Sequence, residues 1–572
     1  MFRNRWLNTL FVLVVIVTMG LSACQPAPAP TAVPPAPAQP TQAPAPTAVP
    51  PTAVPPTAVP PTAVPPTTVP PTAVPPTQPP AVNLNDTRPL VVITPNDVTN
   101  FEPNSISTRT DSNIAEHIFD SLIHMDEHQQ LQPMLALSWT LLDDKKTWQF
   151  KLRQGVTFQD GEVFNAATVK YDFERGLDPQ YKWDGNTPGY VFTSIGLTGV
   201  DVVDDYTVNL KLDRYEPDTP GYISEVFIHP VKYYQDNTLE KVAAEPVGGG
   251  PYKLVEWVKD DHITIERWDG YWGTKPPIKT IIFRPIPEAS TAVAELLAGN
   301  ADVVSSVPPD QAATVDKSSN AHMATVTGGR RIYIGFEQKC TGAGCKEVQD
   351  VRVRQALNMA VDVQTILDSL FQGKGIREGG MVNPPAKNEA VKAYPYDVAG
   401  AKKLLADAGY PNGFKCTMAT PNGRYQKDKD IALAVADQLK TNVGVDCEVV
   451  PYEWSVYRGM IGKKELPALF LLGTGSDFLS AWYDLSDLNS IEASTNYVNW
   501  TTPEWASLVK KLGETYDPAA RKAITDRLQM IVHEDAPWLF IYMQVDWYGV
   551  SNNLNWAPRA DEVQDYRAAS YK

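Results

Sequence analysis

Between Thr147 and Phe173 the chain leaves almost no freedom of choice. Trp148, Phe150 and Leu152 alternate with Thr147, Gln149, Lys151 and Arg153, the period of two that belongs to a strand with one buried face. Gly155 interrupts it, Val156 and Phe158 resume the alternation, and Asp160-Gly161 is a tight-turn dipeptide. Asn165 then stands where a helix N-cap belongs, ahead of Val169 and Phe173, which lie four apart on one helical face. Strand, turn, strand, turn and helix follow one another, a hairpin and helix of the kind common in α+β domains.

This run keeps the order Phe150, Leu152, Arg153, Gly155, Phe158, Asp160, Gly161, Ala166. In that order it resembles the segment shared by peptide-type (family 5) substrate-binding proteins of bacterial ABC importers. Further segments carry the same resemblance. Phe101-Glu102-Pro103 to Phe119-Asp120-Ser121-Leu122 is similar to the family's L-D-P to F-E-G-L opening, with Glu102 and Ser121 as departures. Pro246-Val247-Gly248-Gly249-Gly250-Pro251-Tyr252 is similar to P-V-G-T-G-P-Y, Gly249 replacing threonine. Asp350 to Asp362 carries the D-x-R-V-R-Q-A-L-N pattern. Pro251 follows the glycines directly and no Lys-Ser or Lys-Thr pair opens a helix, so Gly248 to Gly250 read as a turn and not a phosphate loop.

The resemblance implies the two-lobed α/β fold of periplasmic binding proteins (type II, large cluster C), with an extra β-rich subdomain on lobe I and a two-strand hinge. On that basis lobe I takes 87–126, 241–330 and 545–572, the β-rich subdomain 127–240, and lobe II 331–544. A chain of 572 residues is in any case too long for one core.

The N-terminus is of another kind. Arg3 and Arg5 precede an apolar run, and Leu21-Ser22-Ala23-Cys24 follows it. The length and flanks fit a signal peptide over 1–23, and the small residues before Cys24 resemble a lipobox, which implies a lipidated Cys24. An uncleaved anchor is the alternative. From 24 to 86, and above all from 25 to about 81, Pro, Ala, Thr and Val dominate with PPTAV recurring, which supplies few backbone donors and little side-chain area for a core. A polyproline II tether is expected, on the order of 150 Å if extended. Its threonines leave O-glycosylation open.

Five cysteines minus Cys24 leave an even number outside the cytoplasm. Cys340 and Cys345 enclose a Gly-rich loop, and Cys416 and Cys447 take like positions in two strands, so both pairs are candidate disulfides and free thiols the alternative. The helix over 430–439 joins two strands expected to run parallel. His117, His124 and His128 would share a face only on an unbroken helix. Leu122 to Asp126 reads as strand, and no metal site is expected.

By position in the resembled family, Ser107, Thr108 and Arg109 line the ligand cleft. Arg109 can hold a carboxylate through its fork, and is as readily a solvated surface arginine. The second candidate segment ends the apolar run 468–472 in Gly473, Thr474, Gly475, Ser476 and Asp477. The resembled motif is G-W-x-x-D, whose backbone pairs with an extended peptide and whose aspartate receives an α-ammonium. Gly473 and Asp477 keep its spacing while Thr474 replaces the tryptophan, and Asp477 can equally cap its own turn.

A net charge of −16 argues against nucleic acid, whose phosphates need a basic face. There is no H-E-x-x-H, Walker lysine or G-x-S-x-G to mark an enzyme, and no cofactor is expected. The expected function is capture of a peptide or related amine-bearing solute by lobe closure, for delivery to ABC permease subunits by a monomer lipid-anchored outside the cytoplasm. An oligosaccharide ligand stays open, given 14 Trp. A surface interaction protein on a stalk, or a glycosidase with two suitably spaced carboxylates, are the readings from other classes.

Overall fold

The computed structural model describes residues 84–106, 108–181, 187–383, 386–475, 481–486 and 496–572. The signal peptide, Cys24, nearly all of the tether, Ser107, Ser476 and Asp477 lie outside the described residues. Among those described, no helix is long and apolar enough to cross a membrane.

Strand Thr147–Leu152 buries Trp148, Phe150 and Leu152 and exposes Lys151. It lies second in a four-stranded antiparallel sheet with Ala136–Leu141, Thr207–Leu212 and Leu197–Asp204. Asn165 caps helix Ala166–Leu177 in a reciprocal capping box with Thr168. Val169 and Phe173 of that helix meet Phe150, Phe192, Val208 and Leu210 in a core separate from the rest of the chain.

Among the described residues the main sheet has 11 strands, ten in one path and the short Ile376–Arg377 beside it, paired with Trp538–Ser551. Its first half runs Tyr252–Val258, His262–Arg267, Thr280–Pro285, Leu90–Thr94, Val303–Val304. Leu90–Thr94 is parallel to both of its neighbours, which explains its nearly continuous burial. The other half runs Leu469–Thr474, Lys415–Pro421, Asp446–Tyr452. Between the halves stand two long antiparallel strands, Ala321–Phe336 and Trp538–Ser551, which belong to both lobes and form the hinge.

Their pairing shifts register twice, between Thr327 and Arg331 and again between Ile332 and Tyr333, and the first shift is the larger. The register runs from Ala321↔Ser551 to Thr327↔Val545 and resumes at Arg331↔Met543, so Gly328, Gly329 and Arg330 stand opposite Gln544 alone. A bulge of this kind bends the strand and re-aims side chains. Gly328 has no space to spare, since a Cβ there would lie 2.8 Å from Asp546 Oδ2.

Lys415–Pro421 and Asp446–Tyr452 are parallel and joined by helix Asp428–Val443, closed by Gly444 in the left-handed region. Cys416 and Cys447 are opposite one another in that register and bonded, with Cα atoms 4.4 Å apart. Cys340 and Cys345 are bonded at 5.5 Å. The C-terminal tail packs on the first lobe, where Tyr571 Oη stands 2.8 Å from both the Asp302 carboxylate and the Pro89 carbonyl and shares its one proton between them.

Candidate functional site

Helix Arg109–Ile118 begins at Thr108, whose hydroxyl oxygen accepts from the Asp111 N–H at 3.1 Å. Thr108 is thus a helix cap, and Arg109 is the half-buried residue that opens the first turn. The helix ends at Ile118 and His124 lies on strand Ile123–Met125, so the histidines do not share a face. His117 is a satisfied core residue. Its Nδ1–H donates to the Asn113 carbonyl at 2.9 Å and its Nε2 accepts from the Tyr566 N–H at 3.0 Å, while burial pushes its pKa down to about 4.

From the second lobe comes strand Leu469–Thr474, with Thr474 opposite Arg331 of the hinge. The Gly473 carbonyl accepts from the Tyr425 hydroxyl at 3.2 Å, and a Cβ on Gly473 would lie 2.8 Å from the Tyr425 ring. The smallness of Gly473 therefore serves the packing of Tyr425. A Cβ on Gly475 would stand 3.4 Å from Arg330 Nη2.

Arg330, on the hinge bulge, makes a bidentate pair with Glu562 of the C-terminal tail: Nε to Oε1 at 3.0 Å and Nη2 to Oε2 at 3.1 Å. Their side chains keep 17% and 19% of their exposure, so the pair forms a floor in contact with solvent. Asn113 Nδ2 donates to the Glu562 carbonyl at 3.2 Å, and the Gly329 N–H donates to the Ala560 carbonyl at 3.0 Å. Helix, tail and hinge are thereby tied together.

Two further groups flank this pair. Asp546 Oδ1 accepts from Gln544 Nε2 at 2.7 Å, whereas its Oδ2, facing Gly328, is buried and has no hydrogen-bond partner among the described residues. Burial and the Glu562 carboxylate raise its pKa to about 7. On the other flank Arg424 lies 5.1 Å from the centre of the Tyr425 ring and 5.2 Å from that of Trp454. The residue is exposed, yet desolvation of its guanidinium by surrounding protein, with repulsion from Arg330, holds its pKa below the ordinary guanidinium value. Among the described residues no carboxylate is within ion-pair distance of the Arg424 guanidinium.

The structure thus brings Arg109, Thr474 and Gly475 toward one place, around Arg330, Glu562, Asp546 and Arg424, which the motif reading did not single out. The available signal was local: Gly328-Gly329-Arg330-Arg331 puts flexible backbone and two cations at the lobe crossing.

The lobes also touch away from the hinge. Tyr215 of the β-rich part meets Tyr516 edge-on, with ring centres 4.8 Å apart, and Arg521 stands over Tyr215 at 5.1 Å. Gln372 Nε2 donates to the Pro309 carbonyl at 2.6 Å. An aromatic and cation–π contact of this kind contributes about 1 kcal/mol, so Tyr215→Ala is expected to shift the closed-to-open ratio roughly five-fold toward open. Small-angle scattering of the ligand-free protein would then give a larger radius of gyration, and an unchanged radius would show that this contact does not hold the lobes.

The model of bacterial extracellular solute-binding proteins, family 5, middle region, matches residues 130–496. The dipeptide-binding protein of Escherichia coli K12 is 30% identical over 441 residues, 72% of this chain and 80% of that protein. Heme-binding protein A of Haemophilus influenzae is 27% identical over 502 residues, 82% of this chain and 87% of that protein. In fold, the chain is similar to the periplasmic binding protein DppA of Helicobacter pylori, solved with the peptide STSA, at a TM-score of 0.73 and 24% identity over 84% of this chain and 98% of that one. With a family match over more than half of its length, and two lobes joined by a pair of shared strands, the chain belongs to family 5 of the bacterial extracellular solute-binding proteins.

Proposed function

We propose that this protein captures a peptide, or a related solute bearing both an amine and a carboxylate, between its lobes and hands it to an ABC permease. The observation that carries the reading is Arg424. A guanidinium laid against two aromatic rings in a partly desolvated cleft, with no carboxylate bridged to it among the described residues, is prepared for an anionic group from outside. Arg109 on the first lobe, half-buried at the helix start, is a second candidate for the same work. Asp477 is the proposed ammonium receiver, and Thr474 to Ser476 the backbone beside the ligand. The dipeptide-binding relative supports a peptide ligand. The heme-binding relative indicates that ligand choice varies within the family, and so rests on residues particular to each chain.

Closure follows from ligand contacts made to both lobes at once, which favour the closed form by their differential affinity and need no covalent step. Lipidation at Cys24 and the Pro-rich tether, as proposed, would keep the lobes near a membrane-bound permease. The four bonded cysteines agree with an oxidising compartment.

A thermal-shift screen of short peptides against cello-oligosaccharides tests the reading. Peptides at a hundredfold excess over Kd are expected to stabilise the protein by about 2.7 kcal/mol. Arg424→Ala should weaken peptide binding by about 100-fold, as for loss of one partner of a desolvated charge pair, and Asp477→Ala should remove the preference for a free amine. Stabilisation by oligosaccharides alone would reject the proposal.

A further inference from the structure

The second-lobe turn 423–427 is built on one buried carboxylate. Asp428 accepts the Gly423 and Lys429 N–H groups on Oδ1 at 3.1 and 2.8 Å, and the Arg424 and Tyr425 N–H groups on Oδ2 at 2.9 and 3.1 Å. The backbone of the turn is thus fixed before any of its own side chains is considered. Gly423 and Lys427 bound it at φ +89° and +58°. Lys427 carries a Cβ into the left-handed region, a conformation that costs free energy and persists only where surrounding structure imposes it. Within the turn, Arg424 lies on the rings of Tyr425 and Trp454. The next charged and polar side chains cross to the first lobe. Gln426 Nε2 stands 3.5 Å from both Ser306 Oγ and the Val307 carbonyl oxygen, and Lys427 Nζ stands 3.6 Å from Asp310 Oδ1. The same first-lobe loop, 306–310, is held at Pro309 by Gln372, which is also left-handed, at φ +56°.

We propose that the turn 423–427 couples solute capture to lobe closure, with Asp428 as the residue that positions both of its arms: Arg424 for the solute carboxylate, and Gln426 with Lys427 for the first-lobe loop 306–310. The inference rests on the peptide reading above and adds to it how an anion bound in the cleft is felt where the lobes meet. Because Asp428 holds the N–H groups of Gly423, Arg424, Tyr425 and Lys429 together, the turn moves as one piece with the helix Asp428–Val443 that follows it. A solute carboxylate that holds Arg424 therefore also keeps Gln426 and Lys427 at their partners, and the closed form gains contacts that the open form lacks. The converse holds by linkage, since contacts at 306–310 keep Arg424 where the carboxylate meets it. Asparagine at 428 would retain one acceptor oxygen and set an NH2 group against two of the N–H donors, whichever way the amide is turned. It loosens the turn with almost no change of volume.

Calorimetric titration of tri-alanine into the protein from Gln25 onward, through a cycle of variants, is the test. Asp428→Asn is expected to weaken binding at least tenfold. Arg424→Ala, about 100-fold in the wild-type background, should cost about tenfold or less in the Asp428→Asn background, because a guanidinium that is no longer positioned has less to lose. A carboxylate that only steadied the fold would lower the melting temperature and leave the Arg424→Ala effect equal in both backgrounds, and that result overturns the inference. Gln426→Ala combined with Lys427→Ala removes contacts to the first lobe and leaves Arg424 in place. It is expected to weaken binding about fivefold, a size suited to a long contact and an ion pair with an exposed partner. An effect below about twofold overturns the inference, and this arm stands even where Asp428→Asn does not fold. A wild type that binds no tri-alanine, or whose binding Arg424→Ala leaves unchanged, would instead bring down the peptide reading, and the inference with it.

Discussion

Glu102→Ala is expected to cost about 3–5 kcal/mol of folding stability, the range for removing one partner of a buried ion pair. Arg175 Nη1 and Nη2 donate to Glu102 Oε1 and Oε2 at 2.8 and 2.9 Å. The two side chains keep only 2% and 4% of their exposure, so the guanidinium left behind would be charged in a dry site. Glu102 Oε1 also accepts the Asn104 N–H at 3.0 Å, and that donor would be orphaned too. The pair itself need not be stabilising relative to apolar residues of like size. Glu102→Leu combined with Arg175→Met is accordingly expected to recover most of the loss. Urea unfolding of the three proteins separates the cases. A cost below about 1 kcal/mol for Glu102→Ala would show that water or another acid replaces the carboxylate.

Glu102 also illustrates what the sequence could and could not reveal. It departs from the aspartate of the motif it resembles, and reading along the chain gave no reason for the departure, because its partner lies 73 residues away. Elements whose causes are local were legible: the alternation of Trp148, Phe150 and Leu152, the Asn165 cap, and the parallel pairing that sets Cys416 opposite Cys447. Periodicity and capping act over a few residues and so leave their record in a short window. The floor of the candidate site has no such record. Arg330 and Glu562 are 232 residues apart, and they meet only because the tail returns across the first lobe to the hinge bulge. Arg109 was reached by its place in a motif, whereas Arg424 was passed over, since a guanidinium on two rings requires Tyr425 and Trp454 to be brought together by folding. Gly473 was singled out for its small size, and the use of that size that folding reveals is room for the Tyr425 ring, which no local pattern announces.

The three consecutive glycines at 248–250 yield the other large effect, with its own control. A Cβ on Gly248 would stand 2.1 Å from the Ile118 carbonyl oxygen, and one on Gly250 would stand 2.6 Å from the Ile118 carbonyl carbon. A Cβ on Gly249 meets only the Phe158 ring, at 3.3 Å. None of the three has a positive φ, so the demand is for space and not for a left-handed backbone. The loop cannot back away, because the Gly250 N–H donates to the Ile118 carbonyl at 2.8 Å while the Gln159 side chain donates to the Gly250 and Tyr252 carbonyls. Gly248→Ala is therefore expected to destabilise by about 3 kcal/mol or more, and Gly249→Ala by less than about 1 kcal/mol. The clash falls on the C-terminal end of the helix whose first turn holds Arg109 and whose Asn113 bonds the Glu562 backbone. A Gly248→Ala protein that still folds should consequently bind its solute more weakly than Gly249→Ala does. Thermal melts paired with binding measurements on the two variants would decide the matter, and equal stability of the two would mean that helix and loop slide apart more readily than their hydrogen bonds imply.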